Sequence, residues 1–237
     1  MKLFIVILLI LITNALKSQE VDFGIKLGAL YGGAIPEKVL DGFTGTPKLN
    51  PMINFFSNVK LNDDWSFIPQ LSFSLKELHY YGSIRRDTTV ITTIGGVTGQ
   101  IPTFYSAHFD GNMSLYYLEF PFIFSYEIKS YSKLNFGVIN SFLAGGYDEG
   151  SVRVVIGEGG FYEDSLVTFD NYYNIRPYEL ALCLGTSISI SKNFNIDILG
   201  VRSVMSLNKK KISRGAGIES FFMYNTFVYV LLSYTFI

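Results

Sequence analysis

After Gln19 the apolar positions of the chain recur every second residue, and no stretch carries a convincing repeat of 3.6. The clearest run is 179–191. Leu180, Leu182, Leu184, Ile188 and Ile190 share a face with Thr186, while Glu179, Ala181, Cys183, Gly185, Ser187, Ser189 and Ser191 occupy the other. Lys192 and Asn193 interrupt the run, and Phe194, Ile196 and Ile198 resume it opposite Asn195 and Asp197, the pattern of a tight hairpin. Six further segments alternate in the same way: 21–32, 52–61, 65–76, 117–127, 133–147 and 224–237. The pattern therefore predicts eight strands, each about 10 to 15 residues long.

A soluble barrel with an apolar interior also has period two, so the character of the weaker face decides which way the strands point. A face turned to water should be rich in long charged side chains. Here it is dominated by Gly, Ser, Ala and isolated charges, for example Asp22, Gly24, Lys26 and Gly28 in the first segment. Small residues suit a filled lumen, which leaves the Leu, Ile, Phe and Tyr face for lipid. Strands of about ten residues, tilted by about 40°, span an apolar band about 25 Å tall. Connections alternate between short (62–64, 128–132, 192–193) and long (33–50, 78–112, 148–175, 207–221). That alternation fits tight periplasmic turns, long extracellular loops and both termini in the periplasm. The expected fold is an all-β, eight-stranded, antiparallel up-and-down transmembrane barrel. Segments 88–94 and 151–156 read as hairpin extensions above the membrane, and a ten-stranded barrel follows if they enter the lipid instead.

The first residues set the compartment. Lys2, the apolar run 3–12 and the polar exit 13–18 read as a secretory signal peptide, with the barrel domain at 19–237. The apolar run is too short for a spanning helix, which needs about 20 residues. Removing residues 1–18 takes away Lys2 and Lys17 and no acid, so the formal charge moves from −1 to −3 and offers nucleic acid no basic surface. Only 16% of residues are charged, against roughly a quarter in ordinary soluble domains, and 16% are aromatic, which matches a lipid-facing wall. Cys183 is the only cysteine and cannot form an internal disulfide; it is a buried apolar residue or an intermolecular thiol, and its flanks favour the first. His79 and His108 have no second His or Cys at metal-ligand spacing, so neither a metal nor a cofactor is expected.

The run YLEFPFIFSYEI at 117–128, followed by LNFGVINSFLAGGY at 134–147, resembles the small outer-membrane barrels of Bacteroidota grouped as PorT-like or outer-membrane β-barrel domain proteins. GIKLGALYG near the mature start and IPQLSFSLKE in the third strand are similar too, as is Gln19 directly after the cleavage site. The resemblance implies the same barrel, insertion by the barrel-insertion machinery, and roles that include accessories of secretion systems. The chain departs from the family in its last strand, where the aromatic Phe236 is penultimate and Ile237 closes the chain.

Parity names the candidate sites. Asp22, Lys26, Gln70, Lys76, Glu119, Glu127, Glu179 and Asp197 should face the lumen and form a polar network, because unpaired charges there would be costly. A narrow porin-like pore or ligand-binding barrel is the alternative to a filled lumen. Arg202 shares the parity of the lipid-facing residues, so it lies above the membrane or a bulge near Gly200 turns it inward. Lys209, Lys210, Lys211 and Arg214 make a basic external loop suited to lipopolysaccharide phosphates, with solvated loop charge as the plainer reading. Gly157, Gly159 and Gly160 read as an external hairpin rather than a phosphate cradle. Tyr80, Tyr81, Tyr172, Tyr173 and Tyr178 are expected at the outer interface. His79 with Asp110 or His108 is the one candidate acid/base pair, and no Ser or Asp stands at a diagnostic spacing, so a non-enzymatic envelope protein is expected. Its partners would be outer-membrane lipids, lipopolysaccharide and an envelope or secretion-system protein. A soluble secreted barrel remains the second alternative.

Overall fold

A computed structural model describes residues 21–36, 43–94, 97–158, 161–170, 175–209 and 222–236. The segment 1–18, which the sequence suggests is a signal peptide, lies outside these residues, as do Tyr172, Tyr173, Gly159, Gly160, Lys210, Lys211, Arg214 and Ile237. The described residues form strands β1 (Val21–Pro36), β2 (Phe43–Lys60), β3 (Trp65–Ile94), β4 (Val97–Lys129), β5 (Ser132–Glu158), β6 (Phe161–Asp170), β7 (Tyr178–Ser189), β8 (Phe194–Ser203) and β9 (Met223–Thr235).

Eight of the nine close an antiparallel ring in the order β1-β2-β3-β4-β5-β7-β8-β9, sealed by β9 against β1 from Gly24↔Thr235 to Pro36↔Met223. Tight connections at Asn62–Asp64, Ser130–Tyr131 and 190–193 gather at one end of the ring with Val21 and Phe236. The first is tied by the Asn62 side chain, which accepts from the Asp64 and Trp65 amides at 3.0 and 2.9 Å.

The opposite end differs from the loops the sequence suggests. Most of 33–50, 78–112 and 148–175 is strand, not irregular loop. Beyond the ring, β3 and β4 stay paired without a break from Gly82↔Phe109 to Ile94↔Val97, and β5 joins β4 as far as Thr103↔Glu158. The ninth strand, β6, pairs with this upper part of β5 alone. β3 and β4 thus run on past the ring for about 40 Å along the strands, and β5 and β6 widen their lower part into a tall sheet. The hairpin extensions expected at 88–94 and 151–156 are therefore present, Gly157 sits in strand, and the ring has eight strands rather than ten. Each upper strand satisfies backbone groups on a neighbour.

Parity reads out as two faces. Phe23, Leu27, Tyr31, Phe55, Phe73, Phe122, Leu182, Leu184, Ile198 and Val230 point outward and are exposed. Ring pairs such as Trp65 with Tyr126 and Phe194 with Tyr234, each 4.9 Å between centroids, girdle the turn end. The inward face is less uniformly small than the sequence suggests. Leu30, Met52, Ile123, Ile139, Leu199, Val201, Tyr229 and Leu231 form an apolar layer inside the ring, and Cys183 is buried in it. A second apolar layer of Ala34, Leu78, Met113, Leu115, Leu207 and Met223 closes the mouth of the tall end.

Candidate functional site

Two ion clusters are interleaved with these layers. The one nearer the turns centres on Asp197 of β8. Lys26 Nζ of β1 lies 2.6 Å from Asp197 Oδ2, Ser233 donates to the same oxygen at 2.6 Å, and Ser187 donates to Oδ1. Asn135 then donates to Ser187 Oγ at 2.6 Å, and the Lys26 ammonium stands 4.9 Å from the centre of the Phe56 ring. Four strands meet at this one carboxylate because every second residue of each points at the axis.

The second cluster is built on Lys76 of β3, which is 4% exposed. Its Nζ lies 2.8 Å from Glu119 Oε1 of β4 and 3.4 Å from Glu179 Oε2 of β7. Ser141 donates to Glu119 at 3.1 Å and Asn225 to Glu179 at 2.8 Å, while the ammonium sits 4.5 Å from the Tyr117 ring centre. Glu119 Oε2, Glu179 Oε1 and the phenols of Tyr117 and Tyr229 have no hydrogen-bond partner among the described residues. One ammonium therefore serves two carboxylates. In so dry a setting the ammonium is the keystone, because its removal leaves two buried carboxylates without compensation.

Of the eight lumen candidates, Lys26 and Asp197 meet in the first cluster, and Lys76, Glu119 and Glu179 meet in the second. Gln70 accepts from Asn54 Nδ2 at 3.0 Å, in the lumen but outside both clusters. Asp22 and Glu127 depart from the expectation. Asp22 is exposed at the turn end, and Glu127 stands 3.9 Å from Lys133 at the rim. Both lie so near the strand ends that water reaches them whichever way they point. Sequence reading missed Asn54, Asn135, Ser187, Asn225 and Ser233, although all share the inward parity of the lumen groups they bond.

On the outward face just above the apolar wall, Lys48 Nζ is 3.8 Å from Glu77 and 3.3 Å from Asn112 Oδ1, and Ser114 donates to Glu77 at 3.2 Å. His79 Nδ1 lies 3.3 Å from Asn112 Oδ1 and 3.8 Å from Asp110. His108 is separate and contacts Ser106 at 3.4 Å, so the two histidines do not share a site. Tyr80 does not face the interface as expected. It shares the inward parity of Lys76 and Leu78 and packs on the closing apolar layer, and its hydroxyl donates to Asp148 at 2.7 Å. Burial first, and then the Asp148 carboxylate, push the Tyr80 phenol well above its ordinary range. Tyr81 and Tyr178 do point outward.

Arg202 faces outward. The β7–β8 and β8–β9 registers run unbroken through it, so no bulge at Gly200 turns it inward. Lys209 is exposed where the chain leaves the mouth. Among the described residues no group of three His, Cys, Asp or Glu side chains is arranged to hold a metal ion.

Residues 17–210 match the family model described as outer membrane protein beta-barrel domain. No curated protein matches the sequence. Among solved structures, the attachment invasion locus protein Ail of Yersinia pestis is 15% identical, with 92% of this chain and 99% of that chain covered and a TM-score of 0.40. Neisserial surface protein A is 13% identical, with 89% and 96% covered and a TM-score of 0.30. The outer membrane protease OmpT of Escherichia coli is 10% identical, with 92% and 97% covered and a TM-score of 0.33.

Proposed function

Because this chain belongs to the outer membrane protein beta-barrel domain family, we propose that it is a sealed, non-enzymatic barrel that anchors a tall β-sheet at the cell surface as an interaction platform. The observation that carries this reading is the pairing of β3, β4, β5 and β6 far past the ring, above a lumen packed with side chains. A sheet built on barrel strands is a rigid platform for a protein partner, since its base is fixed by the ring. In this reading the turn end and both termini are periplasmic and the sheet is extracellular, as in barrels with short inner turns. The likeness of 117–128 and 134–147 to PorT-like barrels of Bacteroidota supports an accessory role in a secretion or envelope machine. A conducting pore is opposed by the two apolar layers that cross the lumen.

Whole-cell proteolysis tests the platform. Added protease should cut only in the tall sheet and leave a ring fragment that still shifts its gel mobility on heating. A chain resistant on intact cells, and cut there only after the outer membrane is opened, would overturn the orientation.

A further inference from the structure

The outward wall is interrupted by an apolar trough of about 810 Å³. Its walls are Phe122, Phe136, Val138, Leu182, Leu184 and Val228, and Gly200, which has no side chain to fill it, lies on the floor between Leu184 and Val228. Arg202 stands at the same trough, two residues further up β8. Among the described residues its hydrogen bond is to Thr226 Oγ1 at 3.2 Å, and no carboxylate lies within ion-pair distance. A guanidinium carries five donors in a planar fork, so most of them face outward unused.

Depth gives this cation a meaning. Counting from Phe194, the first residue of β8 above its turn, Arg202 lies about 20 Å up a band about 25 Å tall, given the usual rise and tilt. From there an arginine extends its head toward the nearer headgroups rather than into hydrocarbon. Leu182 and Val228 beside it remain apolar and exposed. The wall thus presents a hydrocarbon-lined trough with an uncompensated cation at its upper end, complementary to a lipid whose acyl chain enters the trough and whose phosphate meets the fork.

We propose that the Arg202–Gly200 trough is a binding site for a lipid A-type glycolipid, the phosphorylated, acylated lipid of the outer leaflet. This rests on the orientation proposed above, which puts the Arg202 end in that leaflet.

The test uses full-length protein reconstituted with lipid A and phosphatidylglycerol in equal amounts, followed by native mass spectrometry of the lipid retained. The variants are Arg202→Gln, Arg202→Lys and Gly200→Leu. A Cβ at Gly200 meets only the Leu184 carbonyl oxygen, at 3.6 Å, so the backbone accepts a side chain there that fills the trough. The wild type should retain lipid A in preference. Arg202→Gln and Gly200→Leu should each lower retention about tenfold, and Arg202→Lys should lower it less, because it keeps the charge but not the fork. Heat-modifiable migration confirms that each variant is folded. Equal retention by folded Arg202→Gln overturns the site, as does preference for phosphatidylglycerol. A surface tag at 171–174 keeps the two readings apart: a tag reached on intact cells with lipid binding unaltered sinks only the site, and a tag reached only after permeabilisation sinks the orientation and the site with it.

Discussion

Lys76 on β3 reaches Glu179 on β7 across the lumen, 3.4 Å from Nζ to Oε2, although the two are 103 residues apart and their strands are three places apart in the ring. The same ammonium holds Glu119 on the adjacent strand at 2.8 Å. One side chain therefore ties together two walls that share no backbone hydrogen bonds.

Replacing Lys76 alone should be more harmful than replacing the whole cluster. Lys76→Met strands two buried carboxylates and should cost about 3–5 kcal/mol. The triple variant Lys76→Met, Glu119→Gln, Glu179→Gln should regain most of that. Urea unfolding in lipid vesicles measures both, and a triple variant no more stable than Lys76→Met would contradict the ionic account.

At Asp197 the expected order is graded. Asp197→Asn leaves Lys26 without its anion and should lose about 3–5 kcal/mol, whereas Ser233→Ala removes one hydrogen bond to a charge and should lose about 1.5–3 kcal/mol. The same unfolding assay ranks them, and equal losses would mean that the ion pair adds nothing beyond the hydroxyl.

Two glycines should respond in opposite ways to a single methyl group. A Cβ at Gly185 would run into the Ile198 carbonyl oxygen, and one at Gly145 would meet nothing within 4 Å. Gly185→Ala should destabilise by about 1–3 kcal/mol or block closure of the ring, as overpacking does. Gly145→Ala should refold like wild type. Folded yield in heat-modifiability gels separates them.

The base of the tall sheet should be alkali-sensitive through Tyr80. Its phenol is raised in the fold, so the stability it gives is present below the ordinary value of 10.0 and falls as pH rises past it. Proteolytic opening of the sheet should accelerate above that pH in wild type. Tyr80→Phe should open sooner at neutral pH, having lost the bond to Asp148, yet show a smaller rise in alkali. Parallel pH profiles for the two proteins would refute the assignment.

How much of this was legible in the sequence follows from what period two encodes. Parity alone identifies Lys26, Lys76, Glu119, Glu179 and Asp197 as inward, since one misplaced residue would turn a whole strand inside out. It places Tyr80 inward as well, two residues after Leu78, against the aromatic clustering that suggests the interface. Which charges meet depends on how far each strand is staggered against the next, and nothing in a single strand states the stagger that brings Asp197 to Lys26, 171 residues away. The upper strands are legible only at 88–94 and 151–156 because, beyond Gly82, neither face has a hydrocarbon boundary to sort side chains. The backbone still pairs there, with Thr88↔Thr103 and Val90↔Ile101 in register.

The sealed lumen is the central claim, and single-channel recording tests it most directly. Refolded wild-type protein in a planar bilayer, with insertion confirmed by protease protection of the ring, should give no resolved unitary currents. Reproducible conductance steps from the inserted wild-type barrel would mean that ions pass the Lys76 and Asp197 clusters and the apolar layers between them, and would contradict the account.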